Sequence, residues 1–167
     1  MKYGCVLILT IMFSAVRAFA QDTAAFSESR IEMGLTTSFM HVGGSPSLNT
    51  TGFDIGSKYH FTSWLGYAGQ VWFATGNNST IHDYLCGPEF TLRKRLSPFG
   101  HVLIGVAHRS SKFQNDTGFV SAVGGGLKLN ISRRISFQVV EVDYAPTYLG
   151  GMRQNNVHVS SGFSISF

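Results

Sequence analysis

The feature that most limits how this 167-residue chain can fold is a period of two. Over 155–167, Val157, Val159, Phe163, Ile165 and Phe167 alternate with His158, Ser160, Gly162, Ser164 and Ser166. Successive residues of a strand point to opposite faces, so this segment has one apolar face and one small, polar face. The same alternation recurs over 30–40, 52–61, 64–74, 84–93, 99–109, 119–131 and 135–144. Segments of roughly ten residues with alternating hydropathy, divided by turn-rich pieces, are the signature of a transmembrane β-barrel. The expected fold is all-β: an eight-stranded antiparallel up-and-down barrel with a lipid-facing apolar exterior and a plugged polar interior.

The connections set the expected orientation. Residues 62–63, 94–98 and 132–134 read as short turns, and 41–51, 75–83, 110–118 and 145–154 as longer loops rich in Gly, Asn and Ser. In bacterial barrels short turns face the periplasm and long loops face outward. An even strand number brings both ends to one side, so both termini are expected in the periplasm.

Charged residues decide which face meets lipid. Glu32, Asp54, Lys58, Glu89, Arg93, Arg109, Lys128, Glu141 and Asp143 all fall on the small, polar face. Basic residues near the bilayer midplane would cost about 2–4 kcal/mol each on the lipid side. A lipocalin-like soluble barrel would put the bulky rings inside. Eight strands enclose an interior only wide enough for side chains to fill, which suits Gly, Ser, Ala and Thr better than rings. The reading therefore sets Glu32, Lys58, Glu89, Arg93, His101, Arg109, Lys128, Glu141 and Asp143 in an interior charge network. Within it Glu89, Glu141 and Asp143 are expected to meet Arg93, Lys128 or Arg109. Trp72 and Leu103 break the pattern by falling on the polar face, and Pro88, which has no ladder donor, predicts a break or bulge. Tyr59, Phe61, Trp64, Phe99, Phe137 and Phe167 cluster near the turns, as an interfacial aromatic girdle would.

Residues 1–20 read as a signal peptide: Lys2, an apolar run over 5–16, and the small-x-small site Ala18-Phe19-Ala20. A polar lead-in over 21–29 follows, then the barrel over 30–167. Cleavage removes Lys2 and Arg17, so little of the formal charge of +4 remains and nucleic acid is not an expected partner. It also leaves Cys86 as the one remaining cysteine, without an internal disulfide. Charged residues are only 13% of the chain. That is about half the usual share, which suits a molecule with much of its exterior out of water.

With these strands placed, the chain resembles the small outer-membrane barrels of the OmpA-like and OmpX-like kind, over about 30–167. The cleavable signal, the alternating strands and the ending Phe163-x-Ile165-x-Phe167 carry the resemblance. That ending is similar to the family's assembly signal. The resemblance implies the bacterial outer membrane as location, the barrel-assembly machinery as partner during biogenesis, and contact with outer-membrane lipid and lipopolysaccharide. A monomer with a structural or surface-interaction role through its outer loops is expected, with no peptidoglycan-binding domain and no catalytic residues.

One motif suggests chemistry. His158-Val159-Ser160 is similar to the His-x-Ser arrangement of outer-membrane lipid A deacylases, which makes a lipid-modifying enzyme the alternative function; a narrow channel is the third. The strand phase points His158 and Ser160 into the barrel, and the pair lies on the final strand, where that family does not keep it. No metal or cofactor is expected, since His41, His60, His82, His101 and His108 are scattered without ligand spacing.

Overall fold

The computed structural model describes residues 30–43, 48–76, 79–111, 115–149 and 151–167. The expected signal peptide and lead-in, 1–29, lie outside these residues. The strands are β1 (Ile31–Val42), β2 (Leu48–His60), β3 (Leu65–Gly76), β4 (Ser79–Thr91), β5 (Leu96–Ser111), β6 (Asn115–Asn130), β7 (Ile135–Leu149) and β8 (Met152–Ser166). Each pairs antiparallel with its chain neighbours, and β8 closes onto β1 in one barrel. Residue 30, the turns 61–64, 92–95 and 131–134, and residue 167 share one end, here the terminal rim. The four other connections share the far end.

The apolar positions face outward. Ile31, Met33, Leu35, Phe53, Ile55, Tyr67, Phe90, Val102, Ile104, Val123, Val142, Phe163 and Ile165 are all exposed large hydrophobics. Leu35 is 60% exposed and Ile104 55%, values that would be odd in a water-soluble core. Glu32, Asp54, Lys58, Glu89, Lys128, Glu141 and Asp143 are buried in the lumen. Tyr59, Phe61, Trp64 and Phe167 are exposed beside the terminal rim. Phe99 departs from that expected girdle. It is inward and buried, because Ser97, Phe99, His101 and Leu103 share the inner face of β5.

The strands differ most from expectation at the far end. Segments anticipated as loops, 41–51, 75–83, 110–118 and 145–154, are largely strand, and β5 and β6 reach 16 residues. A tilted strand needs only about 9–11 residues to cross a bilayer. The surplus does not show in the sequence as strand because its alternation is inverted. Val42, Ala74, Ile81 and Leu149 point inward and are buried, while His41, Asn49, Thr51, Thr75, Thr117 and Asn155 point outward and are exposed. Tyr148 and Met152 are apolar exceptions on this outer wall. Cross-strand polar rungs knit the wall: His41 Nδ1 to Asn49 Oδ1 at 2.7 Å, His108 Nδ1 to Thr117 Oγ1 at 2.8 Å, and Ser110 Oγ donating to Asn115 Oδ1 at 2.8 Å. Between β7 and β8, Gly151 takes φ +78°, a conformation that favours glycine.

Pro88 interrupts pairing without shifting it. Cys86↔Ile104 and Glu89↔His101 keep one register on β5, and Gly87 and Pro88 between them go unpaired there. The register shifts lie instead on β7, against Leu127/Lys128 of β6 and between Gln138 and Glu141 towards β8. Inward positions are Ser136 and Gln138 before the bulge, and Glu141, Asp143 and Ala145 after it. One extra residue therefore turns both carboxylates into the lumen.

Candidate functional site in the barrel interior

The lumen holds two layers. Towards the far end it is mainly apolar: Met40, Val42, Trp72, Ala74, Ile81, Leu85, Leu103, Ala107, Val120, Ala122, Ala145 and Leu149 form one buried cluster, with Thr50, Ser79, Thr147 and Asn156 buried beside it. Trp72 and Leu103, misfits on a wholly polar inner face, belong to this plug. Towards the terminal rim the lumen is ionic.

There, Lys128 Nζ donates to Glu32 Oε1 at 2.5 Å, with His60 Nε2 at 3.8 Å from Glu32 Oε2. Lys58 Nζ lies 2.6 Å from Glu89 Oε2, an ion pair not aligned as a hydrogen bond. The inward Phe99 ring sits under both ammonium groups, 4.4 Å from Lys58 Nζ and 5.7 Å from Lys128 Nζ. A cation over an aromatic face is held by the ring quadrupole, so Phe99 serves the ionic layer.

Deeper in, His101 Nε2 lies 2.7 Å from Asp143 Oδ1. His158 lies 3.3 Å from Asp143 Oδ2 through Nδ1 and 3.3 Å from Asp54 Oδ2 through Nε2. Both ring nitrogens thus face carboxylates, and only an imidazolium with a proton on each can donate to both. Asp54 also accepts from Thr36 Oγ1 and Ser38 Oγ, each at 2.9 Å. The His158 ring stacks on Trp72 at 4.0 Å and 8°. Trp72 Nε1 donates to Gln70 Oε1 at 2.7 Å, and Gln70 Nε2 donates to Glu141 Oε1 at 3.2 Å. The indole therefore joins the apolar plug to the ionic layer. Trp72→Phe keeps the ring but leaves Gln70 Oε1 buried without its donor. A loss of about 1–2 kcal/mol is expected in urea titration of the folded barrel.

The expected partners of Glu89, Glu141 and Asp143 need correction at the level of direct contact, although the charges of Lys128 and Arg93 do act on Glu89. Their direct partners are Lys58, Gln70, and the pair His101 and His158. Lys128 goes to Glu32. Arg93 and Arg109 stand at the two mouths: Arg93 follows β4, and Arg109 lies near the far end of β5 opposite Asp116. Both are half-buried. Asp83, sought in a loop, is a buried lumen residue of β4.

The His101–Asp143 contact spans β6, which separates the two strands. His101 is registered with Gly124, and Gly124 with Asp143. Two strand spacings come to roughly 10 Å, so the side chains meet over Gly124. A Cβ there would lie 1.9 Å from Asp143 Oδ1. Ligand atoms of His101, Glu141 and Asp143 lie within 4.8 Å of one another, close enough to share a cation. His101 and Asp143 already satisfy each other, however, and Glu141 is engaged by Gln70.

The His-x-Ser pair does not assemble a nucleophile. His158 is held by Asp54 and Asp143, while Ser160 Oγ accepts from Gln138 Nε2 at 3.1 Å. Both are buried in the lumen, away from the apolar exterior. A serine nucleophile needs a base within hydrogen-bond reach and a substrate path, and this arrangement provides neither.

No protein-family model matches the chain, and no curated protein matches it in sequence. Solved structures do match. Neisserial surface protein A aligns with TM-score 0.69 at 11% identity, covering 82% of this chain and 97% of that one. The attachment invasion locus protein Ail of Yersinia pestis aligns with TM-score 0.53 at 17% identity, covering 82% and 99%. The outer membrane protein OprG of Pseudomonas aeruginosa aligns with TM-score 0.51 at 9% identity, covering 87% and 99%. The likeness is one of fold: an eight-stranded closed antiparallel barrel of the kind found in small outer-membrane proteins.

Proposed function

We propose that the protein is an integral outer-membrane barrel, non-enzymatic, with both termini in the periplasm, working as a structural or surface-interaction element. The observation that carries this reading is the belt of exposed Leu, Ile, Val and aromatic side chains around a lumen of buried ion pairs. Such a belt is stable against acyl chains and unstable in water, and the buried charges are tolerable only because they are paired. The same fold in outer-membrane proteins supports the location. Phe163, Ile165 and Phe167 stay outward, where the barrel-assembly machinery would read them during insertion. Lipid and lipopolysaccharide surround the single barrel. The far end then projects outward as a polar collar of paired strands, and this collar is the surface offered to a partner.

The interior supports neither the enzyme nor the channel alternative, since Trp72 and Leu103 fill its far half and His158 is fully engaged. The test is electrophoresis of detergent-extracted protein with and without boiling. The unboiled wild type is expected to migrate faster, as closed membrane barrels do, and lipid A from overexpressing cells is expected to be unchanged. Ile104 lies mid-belt on β5, registered with Cys86 and Ser121. Ile104→Arg is expected to cost about 2–4 kcal/mol and to lower the fast-migrating fraction. A wild type with one mobility, or an Ile104→Arg variant as stable in lipid as the wild type, would overturn the placement.

A further inference from the structure

Two histidines that lie far apart in the sequence are brought together by the strand register. His82 of β4 stands directly opposite His108 of β5. Residues opposite each other in an antiparallel pair share a face, with Cβ atoms about 4.5–5.5 Å apart. Both are half-buried on the outer wall, one outward rung beyond the apolar Tyr84 and Val106 and one before Thr80 and Ser110. Each ring is braced from the side. His82 meets the Phe73 ring edge-on, with centroids 5.2 Å apart at 88°. His108 Nδ1 lies 2.8 Å from Thr117 Oγ1 on β6.

The contact with Thr117 decides what His108 offers. Nδ1 and Cδ2 lie on opposite edges of an imidazole, and Nε2 adjoins Cδ2. With Nδ1 turned to β6, the edge carrying Nε2 faces β4, where His82 stands. A neutral ring that donates Nδ1–H to a hydroxyl oxygen keeps its lone pair on Nε2. Metal-bound histidines are held in this manner, with one nitrogen on the metal and the other N–H on an oxygen. The nearest outward neighbours of the pair are Phe73, Thr80, Tyr84, Val106, Ser110 and Thr117. None is a carboxylate or a thiol, so the two imidazoles set the class of ligand. As cations directly opposite each other they would repel. As neutral rings sharing a cation they would hold each other in place.

We propose that His82 and His108 form a two-imidazole site for a late divalent transition-metal ion on the outer wall, just beyond the apolar belt, with water completing the coordination shell. Nitrogen and oxygen donors in tetragonal geometry suit Cu2+ and Ni2+, and affinity across the divalent series peaks at Cu2+. The site depends on the β4–β5 register and not on the membrane placement. It goes beyond the structural or surface-interaction role, because it assigns the outer wall a ligand.

The untagged protein is folded in dodecyl maltoside micelles and titrated with Cu2+ in a non-coordinating buffer, with amide resonances as the readout. The paramagnetic ion broadens the amides nearest to it. By one equivalent, those of His82 and His108 are expected to broaden before all others. His82→Gln and His108→Gln are each expected to weaken binding at least about tenfold. The two together are expected to add little to either, because one imidazole alone does not chelate. His41→Gln, on the outer wall of β1, is expected to leave binding unchanged. Heat-modifiable mobility establishes that each variant is folded. Absence of broadening at the pair by one equivalent would overturn the assignment. So would undiminished binding by either single variant, or broadening centred on His41 or the amino terminus.

Discussion

Gly124→Leu is expected to abolish the folded barrel, with no fast-migrating species on an unboiled gel. Even the first carbon of a side chain at this position would lie 1.9 Å from Asp143 Oδ1 and 2.3 Å from the Val142 carbonyl oxygen. The second of these is backbone and cannot rotate aside. To accommodate leucine, β6 would have to leave β7, or Asp143 would have to abandon His101. The second outcome breaks the buried His101–Asp143 pair and leaves Asp143 only His158, and breaking one buried ion pair costs about 3–5 kcal/mol. Gly124→Ala makes the same collision with less bulk and is expected to fold with a much lower urea midpoint. Full stability in the alanine variant would show that Asp143 does not depend on the gap over β6.

Lys58→Ala is expected to cost about 3–5 kcal/mol in reversible urea unfolding, because it leaves Glu89 buried without its cation. Glu89 is 1% exposed; the Thr91 hydroxyl stays at 2.9 Å and His101 Nδ1 at 4.0 Å, and the charges of Lys128 and Arg93 act on it from further away. The expected signature is asymmetry. Lys58→Met combined with Glu89→Leu removes both charges, roughly preserves volume, and should recover most of the loss. The Phe99 ring, already beneath Lys58, would then pack against methionine. If the double variant were as unstable as the single one, the pair would be acting through geometry and not through charge.

The sequence made the strands, their phase and the lumen legible, because alternation and charge agree from Glu32 to Asp143. Partnerships were not legible. Cross-barrel contacts depend on which strands curl towards each other, and no local pattern reports that His101 reaches Asp143 across Gly124. Phe99 misled because it opens the segment 99–109 beside the turn 94–98, where rim aromatics gather, although its alternation with Ser97, His101 and Leu103 was present. Asp83 was hidden beside Gly76-Asn77-Asn78-Ser79, a turn-like run, although Ser79, Ile81, Asp83 and Leu85 share one inward face. The bulge on β7 explains why a single phase cannot run from Ile135 to Tyr144. His158 was readable as an interior polar group, but its stack on Trp72 was not, since both residues looked like exceptions when taken alone.

Along one set of strands the inner and outer faces exchange character, greasy outside near the terminal rim and greasy inside near the far end. On the proposed placement, that exchange works as a waterline. Sinking the barrel by one alternating pair, about 6–7 Å along a strand, would push His41, Thr75 and Asn155 among acyl chains, and raising it would expose Ile104 and its neighbours to solvent. Immersion depth is thereby written into the chain, so the collar should stand at a constant height above the lipid surface whatever it meets there.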